Sequence, residues 1–195
     1  MLILVIKRIA FLICLILTSP LIFLTYVESL LFGRRAEKVY SSCRELLAVI
    51  PTLIGNYLRT SYYWAVCTDV SPDACFCFGS MVSHRDVRIG AGTVVGTYSG
   101  VGFADVGTNV LFGARVSVIS GKYQHGRPDG RANDKESVEE YSRITIGDNS
   151  WIGESALVLA NVGKNCTVGA GSVVFKDVPD GTTVIGNPAR KTNLT

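Results

Sequence analysis

The sequence predicts a mainly β fold: a parallel β-helix of hexapeptide repeats, preceded by N-terminal membrane-associated helices. Three observations predict it. An aliphatic residue followed by Gly recurs at steps of about six, at Ile89, Val95, Val101, Val106, Ile146, Ile152, Val162 and Val168, with Phe112 in the same pattern. A polar segment, 120–143, interrupts that rhythm once, and the rhythm resumes at Ile144. The chain opens on an apolar run with no charged residue from Ile9 to Val27.

The apolar run accounts for residues 1–33. Its 19 residues span roughly 28 Å as a helix, close to a ~30 Å hydrocarbon core. A signal peptide is the competing reading, with Lys7 and Arg8 as its charged start. Thr25-Tyr-Val-Glu28 is a poor small-x-small cleavage site, so the segment is expected to stay in the mature protein. Ser19-Pro20 sits mid-run, where Pro removes a helix hydrogen bond and bends the chain. Lys7 and Arg8 precede the run, and Arg34, Arg35 and Lys38 follow it. A single span sends one basic set outward; a re-entrant hairpin keeps both in the cytoplasm. The hairpin is therefore the expectation. Residues 34–68 read as an amphipathic, interfacial helical linker. Within it "IPTLIGNYLRTSYYW" (50–64) offers Tyr57, Tyr62, Tyr63 and Trp64 as an aromatic anchor. The alternative is a helix that caps the β-helix.

Residues 69–190 hold the β-helix, and 191–195 a tail. In such a coil the aliphatic residue points into a narrow axial core, and the next residue is small because the chain turns there. Cys75 and Cys77 alternate with Phe76 and Phe78, which predicts two small buried residues on one strand face. None of the six cysteines keeps a metal-type spacing. They read as reduced thiols with no metal. A net charge of +3 is too mild to suggest a nucleic-acid partner.

Two motifs, "GAGSVVFKDVP" (169–179) and "GNPAR" (186–190), together with "NSWIG" (149–153), resemble the hexapeptide-repeat acyltransferases, and in particular the maltose and galactoside acetyltransferase branch. The apolar N-terminus, "IPTLIGNYLRTSYY" and "SGKYQH" are similar to membrane-associated acetyltransferases of bacterial exopolysaccharide clusters. "KRIAFLICLILTSPLIFL" (7–24) resembles the re-entrant helix of bacterial phosphoglycosyl transferases, without their usual acidic residue.

The resemblance implies a left-handed β-helix and a homotrimer, with acetyl-CoA in the groove between neighbouring chains. It implies that the loop 120–143 presents His125 as general base. Neutral imidazole suits removal of a hydroxyl proton near neutral pH. The bland reading is a solvated loop histidine. The resemblance further places Trp151 and Gly153 at the cofactor cleft and makes the Glu154 backbone amide the donor to the thioester carbonyl. Ala170 and Gly171 would admit the pantetheine close to the backbone. Lys176 and Arg190 would meet the CoA phosphates. His84 matches no catalytic motif and reads as a surface or inter-subunit residue.

The function expected is acetyl-CoA-dependent O-acetylation of a sugar hydroxyl on a lipid-linked or polymeric bacterial glycan, at the cytoplasmic face of the inner membrane. The alternatives are N-acetylation of a nucleotide-linked amino sugar and a non-catalytic β-helix scaffold. A metal site of three histidines drawn from two subunits is set aside, because one of the two histidines lies in the loop and no acid-rich ligand cluster stands beside them. The residues before 69 leave no room for a further α/β domain with a glycine-rich nucleotide loop.

Overall fold

The computed structural model describes residues 2–120 and 143–192. Three helices come first: α1 (Leu2–Phe32), α2 (Lys38–Ala48) and α3 (Thr52–Val66). The β-helix follows in chain order. Its first coil is β1 (Asp69–Val70), β2 (Cys75–Phe76) and β3 (Met81–Val82). The second is β4 (Arg88–Ile89), β5 (Val94–Val95) and β6 (Gly100–Val101). The third is β7 (Ala104–Val106), β8 (Leu111–Phe112) and β9 (Ser117–Val118). Beyond the loop lie β10 (Ile144–Ile146), β11 (Trp151–Ile152) and β12 (Leu157–Val158). Val162, bridged to Ile146, then leads to β13 (Thr167–Val168) and β14 (Val173–Val174). The last turn is β15 (Thr183–Ile185) with β16 (Arg190–Lys191) folded back antiparallel on it.

Like strands of successive coils pair in parallel and make three sheets. Sheet one is β1-β4-β7-β10, sheet two runs from β2 to β16, and sheet three is β3-β6-β9-β12-β14. The repeat sets this register. Ile89, Val95, Val101, Val106, Phe112, Ile146, Ile152, Val162 and Val168 are all buried on the axis. The glycine after each is required by close approach rather than by an unusual backbone. A Cβ on Gly90 would lie 2.7 Å from Gly107 of the next coil, and one on Gly153 would lie 2.5 Å from the Ala170 nitrogen. The left-handed positions fall further along each turn, at Tyr98, Asn109, Arg115, Asn149, Ser155 and Asn165.

The expected burial of Cys75 and Cys77 is corrected here. Phe76 takes the inward slot and is fully buried, while both thiols face outward and are partly exposed. Phe76 fills the end of the core against Tyr63, ring centroids 4.8 Å apart. All six cysteines are free thiols.

The helical layer covers the open edge of the first coil, which would otherwise present unpaired backbone groups. Tyr40 Oη donates to the Val82 carbonyl at 2.8 Å, the Val82 N–H donates to Tyr63 Oη at 3.3 Å, and Thr60 donates to the Ala74 carbonyl at 3.2 Å. Arg59 is fully buried and donates to the carbonyls of Phe76 (3.0 Å), Leu47 (2.8 Å) and Ile50 (2.9 Å) and to Asn56 Oδ1 (2.8 Å). Its charge thus sits on the carbonyl end of α2, where a cation is favoured. Tyr62 and Tyr63 are buried in this layer, so they cap the β-helix and do not serve as an aromatic anchor.

The hairpin expected at Ser19-Pro20 is not formed either: α1 is one helix running through Pro20. The carbonyl that Pro20 leaves without its N–H partner is that of Ile16, and Ser19 Oγ donates to it at 2.7 Å. Thr18 Oγ1 bonds the Cys14 carbonyl at 2.9 Å. Local hydroxyls satisfy the backbone, and the chain has no need to turn.

Candidate active site

Each coil turns at three corners, and the sequence-derived site residues sort onto two of them. Trp151 projects outward from sheet two and is 48% exposed, stacked between Leu111 and Thr167 of the adjoining coils. It is too large for the axis, so Ile152 takes the inward place. Gly153 and Glu154 follow at the corner between sheets two and three. Ala170 and Gly171 lie at the same corner one coil on, with the Gly171 N–H donating to the Glu154 carbonyl at 2.8 Å. The structure therefore brings Trp151, Gly153, Glu154, Ala170 and Gly171 together. Among the described residues the Glu154 N–H meets no acceptor, and its side chain turns away to pair with Arg115. Gly153 is packed against the next coil, whereas Ala170 and Gly171 are exposed and a Cβ on Gly171 would meet nothing within 4 Å, so a ligand can approach the backbone there.

Lys176 lies at a different corner, between sheets three and one. It shares a cleft of about 440 Å³ at the C-terminal end of the β-helix with Arg190, Lys191, Asp177 and Asp180. Lys176 and Arg190, far apart in sequence, thus face one basic cleft.

The loop leaves from the Lys176 side. His125 lies outside the described residues, but both roots of the loop are described. Ser120 is buried, and its Oγ accepts the Phe103 N–H at 2.9 Å. At the other root Arg143 lies over the Phe103 ring at 3.9 Å and pairs with Asp105 (2.6 Å) and Asp86 (2.7 Å). The sequence reading missed this anchor. Arg88 and Asp105, seventeen residues apart, face each other across neighbouring coils, and that spacing is a signal. Asp105 and Arg143 are also coil neighbours, but the loop inserted between them hides it.

His84 sits at the same corner nearer the cap. Its Nδ1 lies 3.0 Å from Glu37 Oε2, and its ring meets Phe103 edge-on. It belongs to the wall beneath the loop root.

Two ionisable features lie away from these corners. The Lys164 ammonium, with the Thr108 N–H, holds the Asp148 carboxyl down to about 2. On β2 the bond from the Cys75 thiol, helped by the Arg59 charge, pulls the Cys77 thiol below the usual thiol range. Among the described residues no cluster of His, Cys, Asp and Glu is placed to hold a metal ion.

Residues 143–176, which run from the loop root to Lys176, match the hexapeptide repeat of succinyl-transferase. Galactoside O-acetyltransferase of Lactococcus lactis is 37% identical over 85 residues, which cover 43% of this chain and 39% of that protein. Serine acetyltransferase 4 of Arabidopsis thaliana is 30% identical over 179 residues, 91% of this chain and 42% of that one. The chain spans less than half the length of such relatives. Among solved structures, a maltose O-acetyltransferase from Clostridium difficile superposes with a TM-score of 0.65 at 22% identity, covering 80% of this chain and 84% of that one. That likeness shows the shared fold.

Proposed function

The chain belongs to the hexapeptide-repeat acyltransferase family, and from that premise we propose that it is an acetyl-CoA-dependent O-acetyltransferase acting on a sugar hydroxyl of a lipid-linked or polymeric bacterial glycan. One observation carries the reading. An open column of exposed backbone, Glu154 over Ala170-Gly171, stands beside the outward Trp151, while the loop bearing His125 is rooted at another corner. Sheet three separates the two corners in a single chain. A homotrimer joins them, with the loop of one chain facing the open column of its neighbour, and gives three equivalent sites.

In this reading acetyl-CoA lies along the open column. The pantetheine passes Ala170 and Gly171 of one chain, and the phosphates meet Lys176 and Arg190 of the chain that supplies the loop. The His125 imidazole takes the hydroxyl proton as the sugar oxygen attacks the thioester carbonyl carbon. The carbonyl oxygen becomes an oxyanion and accepts the Glu154 N–H, a contribution of about 3 kcal/mol for one well-placed donor. The carbon–sulfur bond then breaks, and the CoA sulfur leaves with the proton held by His125. The products are an acetyl ester and free CoA.

The membrane side of the proposal is supported by α1, whose outer residues are apolar and exposed, Leu30 by 85%. A lipid-linked acceptor gives such a helix a purpose that a soluble nucleotide sugar does not. The cytoplasmic face of the inner membrane is where acetyl-CoA and such acceptors meet.

The test is mass spectrometry of lipid-linked oligosaccharides and exopolysaccharide from cells with the wild-type protein, with His125→Ala and without the protein. The expected result is one acetyl group per acceptor, removable by mild alkali as an ester is, lost without the protein and reduced ~10²–10⁴-fold in initial rate by His125→Ala. An alkali-stable product would replace O- by N-acetylation. Unchanged glycans would leave the β-helix as a scaffold.

A further inference from the structure

Glu28, the only acidic residue within α1, is buried, although the helix around it is apolar and largely exposed. Its carboxylate accepts the N–H groups of Val39 (2.8 Å) and Tyr40 (3.3 Å), which caps the start of α2. The rest of that face follows suit. Thr18 meets Ser61 at 3.3 Å, Thr25 meets Tyr62 at 2.8 Å, and Ser29 accepts from Arg85. The polar side of α1 is thus the side turned to protein. Opposite it, Ile9, Ile16, Phe23 and Leu30, one every seventh residue, stand 52%, 72%, 66% and 85% exposed. A helix at a water boundary is arranged the other way round.

The ends of α1 decide how such a helix meets lipid. Near its start Arg8 pairs with Asp73 at 3.7 Å, and near its end Ser29 meets Arg85. Just past α1, Arg34 donates to Thr68 at 3.3 Å. Asp73, Arg85 and Thr68 all flank the first coil of the β-helix. A helix of 31 residues is ~46 Å long, and both of its ends rest on the same water-facing domain. It cannot deliver its two ends to opposite sides of a bilayer while those contacts hold.

We propose that α1 lies in the plane of one membrane leaflet, with its outer face among the acyl chains and the β-helix standing on it. This rests on the reading that the protein is membrane-bound, and it specifies how. The occupant of the apolar face is anionic lipid, since Lys7, Arg8, Arg34, Arg35 and Lys38 lie at the two ends of the helix and no acidic side chain shares its outer face. The same helical layer exposes Leu53 and Ile54 at the start of α3. A threefold assembly about an axis along the β-helix presents three such faces in one direction, so the trimer sits on a single surface.

The experiment uses the full chain with its six cysteines replaced and single cysteines introduced as Ile9→Cys, Ile16→Cys, Phe23→Cys and Leu30→Cys, each carrying an NBD probe. Vesicles of phosphatidylcholine and phosphatidylglycerol contain quenchers at graded depths. The expected result is one shallow depth for all four probes, roughly 5–10 Å below the headgroups. Probes 16 and 23 near the midplane, with 9 and 30 at opposite interfaces, would establish a span and overturn the proposal. No binding to vesicles would overturn it too, and would hand the face to protein.

A second measurement needs no substitution. An impermeant amine reagent applied to sealed inside-out vesicles should modify both Lys7 and Lys38 of the native chain, and neither lysine in right-side-out vesicles. Opposite sidedness of the two lysines contradicts the in-plane helix. Acetylation of the glycans is read separately, so a depth profile as expected without acetylation removes the enzyme and keeps the placement.

Discussion

From β4 to β14 each coil rests on the next through the same contacts, whereas the three helices rest on the first coil through contacts that occur once. In the coils an inward aliphatic residue, a glycine approached closely by the next turn and a parallel pair recur at each level. In the cap the work falls to single groups: Arg59 on five acceptors, Glu28 on the start of α2, and Tyr40 and Tyr63 on Val82. Burial is shared evenly along the axis and concentrated at the end. A repeat can distribute stability because each unit satisfies the edge of the next. The terminal unit has no such neighbour, and side chains must supply what a further coil would.

The largest expected effect lies in the cap. Arg59→Met should destabilise the protein by about 3–5 kcal/mol, because it leaves several buried carbonyls without a donor. Urea denaturation followed by circular dichroism measures it, and a loss below about 1 kcal/mol would mean that water replaces the guanidinium. Second comes a glycine in the stack. A Cβ on Gly113 would lie 2.6 Å from the Glu154 nitrogen, so Gly113→Ala should cost about 1–3 kcal/mol by overpacking. Gly100, whose Cβ would enter open space, should tolerate alanine with little loss.

Smaller again are Ile89→Val, Ile146→Val and Ile152→Val, at about 0.5–1.5 kcal/mol each. Their near equality is the point. A strong gradient along the axis would break the picture of evenly shared burial. The smallest effect concerns pH. Asp148 accepts the Thr108 N–H from one coil and pairs with Lys164 of the next at 2.9 Å. Its folded carboxyl titrates at about 2, below an unfolded value of ~3.9. Its stabilising part is therefore present above pH ~4 and lost as pH falls towards 2. The urea midpoints of wild type and Asp148→Asn should differ slightly at pH 6 and converge as the pH is lowered through that window.

The same contrast governs what could be read from sequence. The inward column was legible because each aliphatic-Gly pair repeats. Cys75 and Cys77 were misread because β2 precedes the first such pair, and there Phe76 takes the inward slot. The bend at Pro20 was misread because composition registers the missing N–H but not the Ser19 hydroxyl that bonds the freed carbonyl. Tyr62 and Tyr63 looked like interfacial residues because nothing in their spacing reveals that Tyr62 meets Thr25 and Tyr63 accepts from Val82. In the candidate site, Glu154 beside Ala170-Gly171 follows from the coil length, sixteen residues at this level. The Arg143 anchor did not follow, since the loop carries it out of register with Asp86 and Asp105.

The central claim is that the site is completed between chains, with His125 from one and the Glu154–Ala170 corner from its neighbour. The direct measurement is complementation in mixed trimers. His125→Ala and Ala170→Trp, the second placing bulk on the open column, are each expected to abolish glycan acetylation when expressed alone. Co-expressed in equal amounts and assembled at random, they should restore roughly a quarter of wild-type sites, since one interface in four pairs an intact loop with an intact corner. Acetyl content of the glycan near that fraction is the predicted result. No recovery, with mixed trimers demonstrated by native mass spectrometry and each variant folded, would place both halves of the site in one chain and contradict the account.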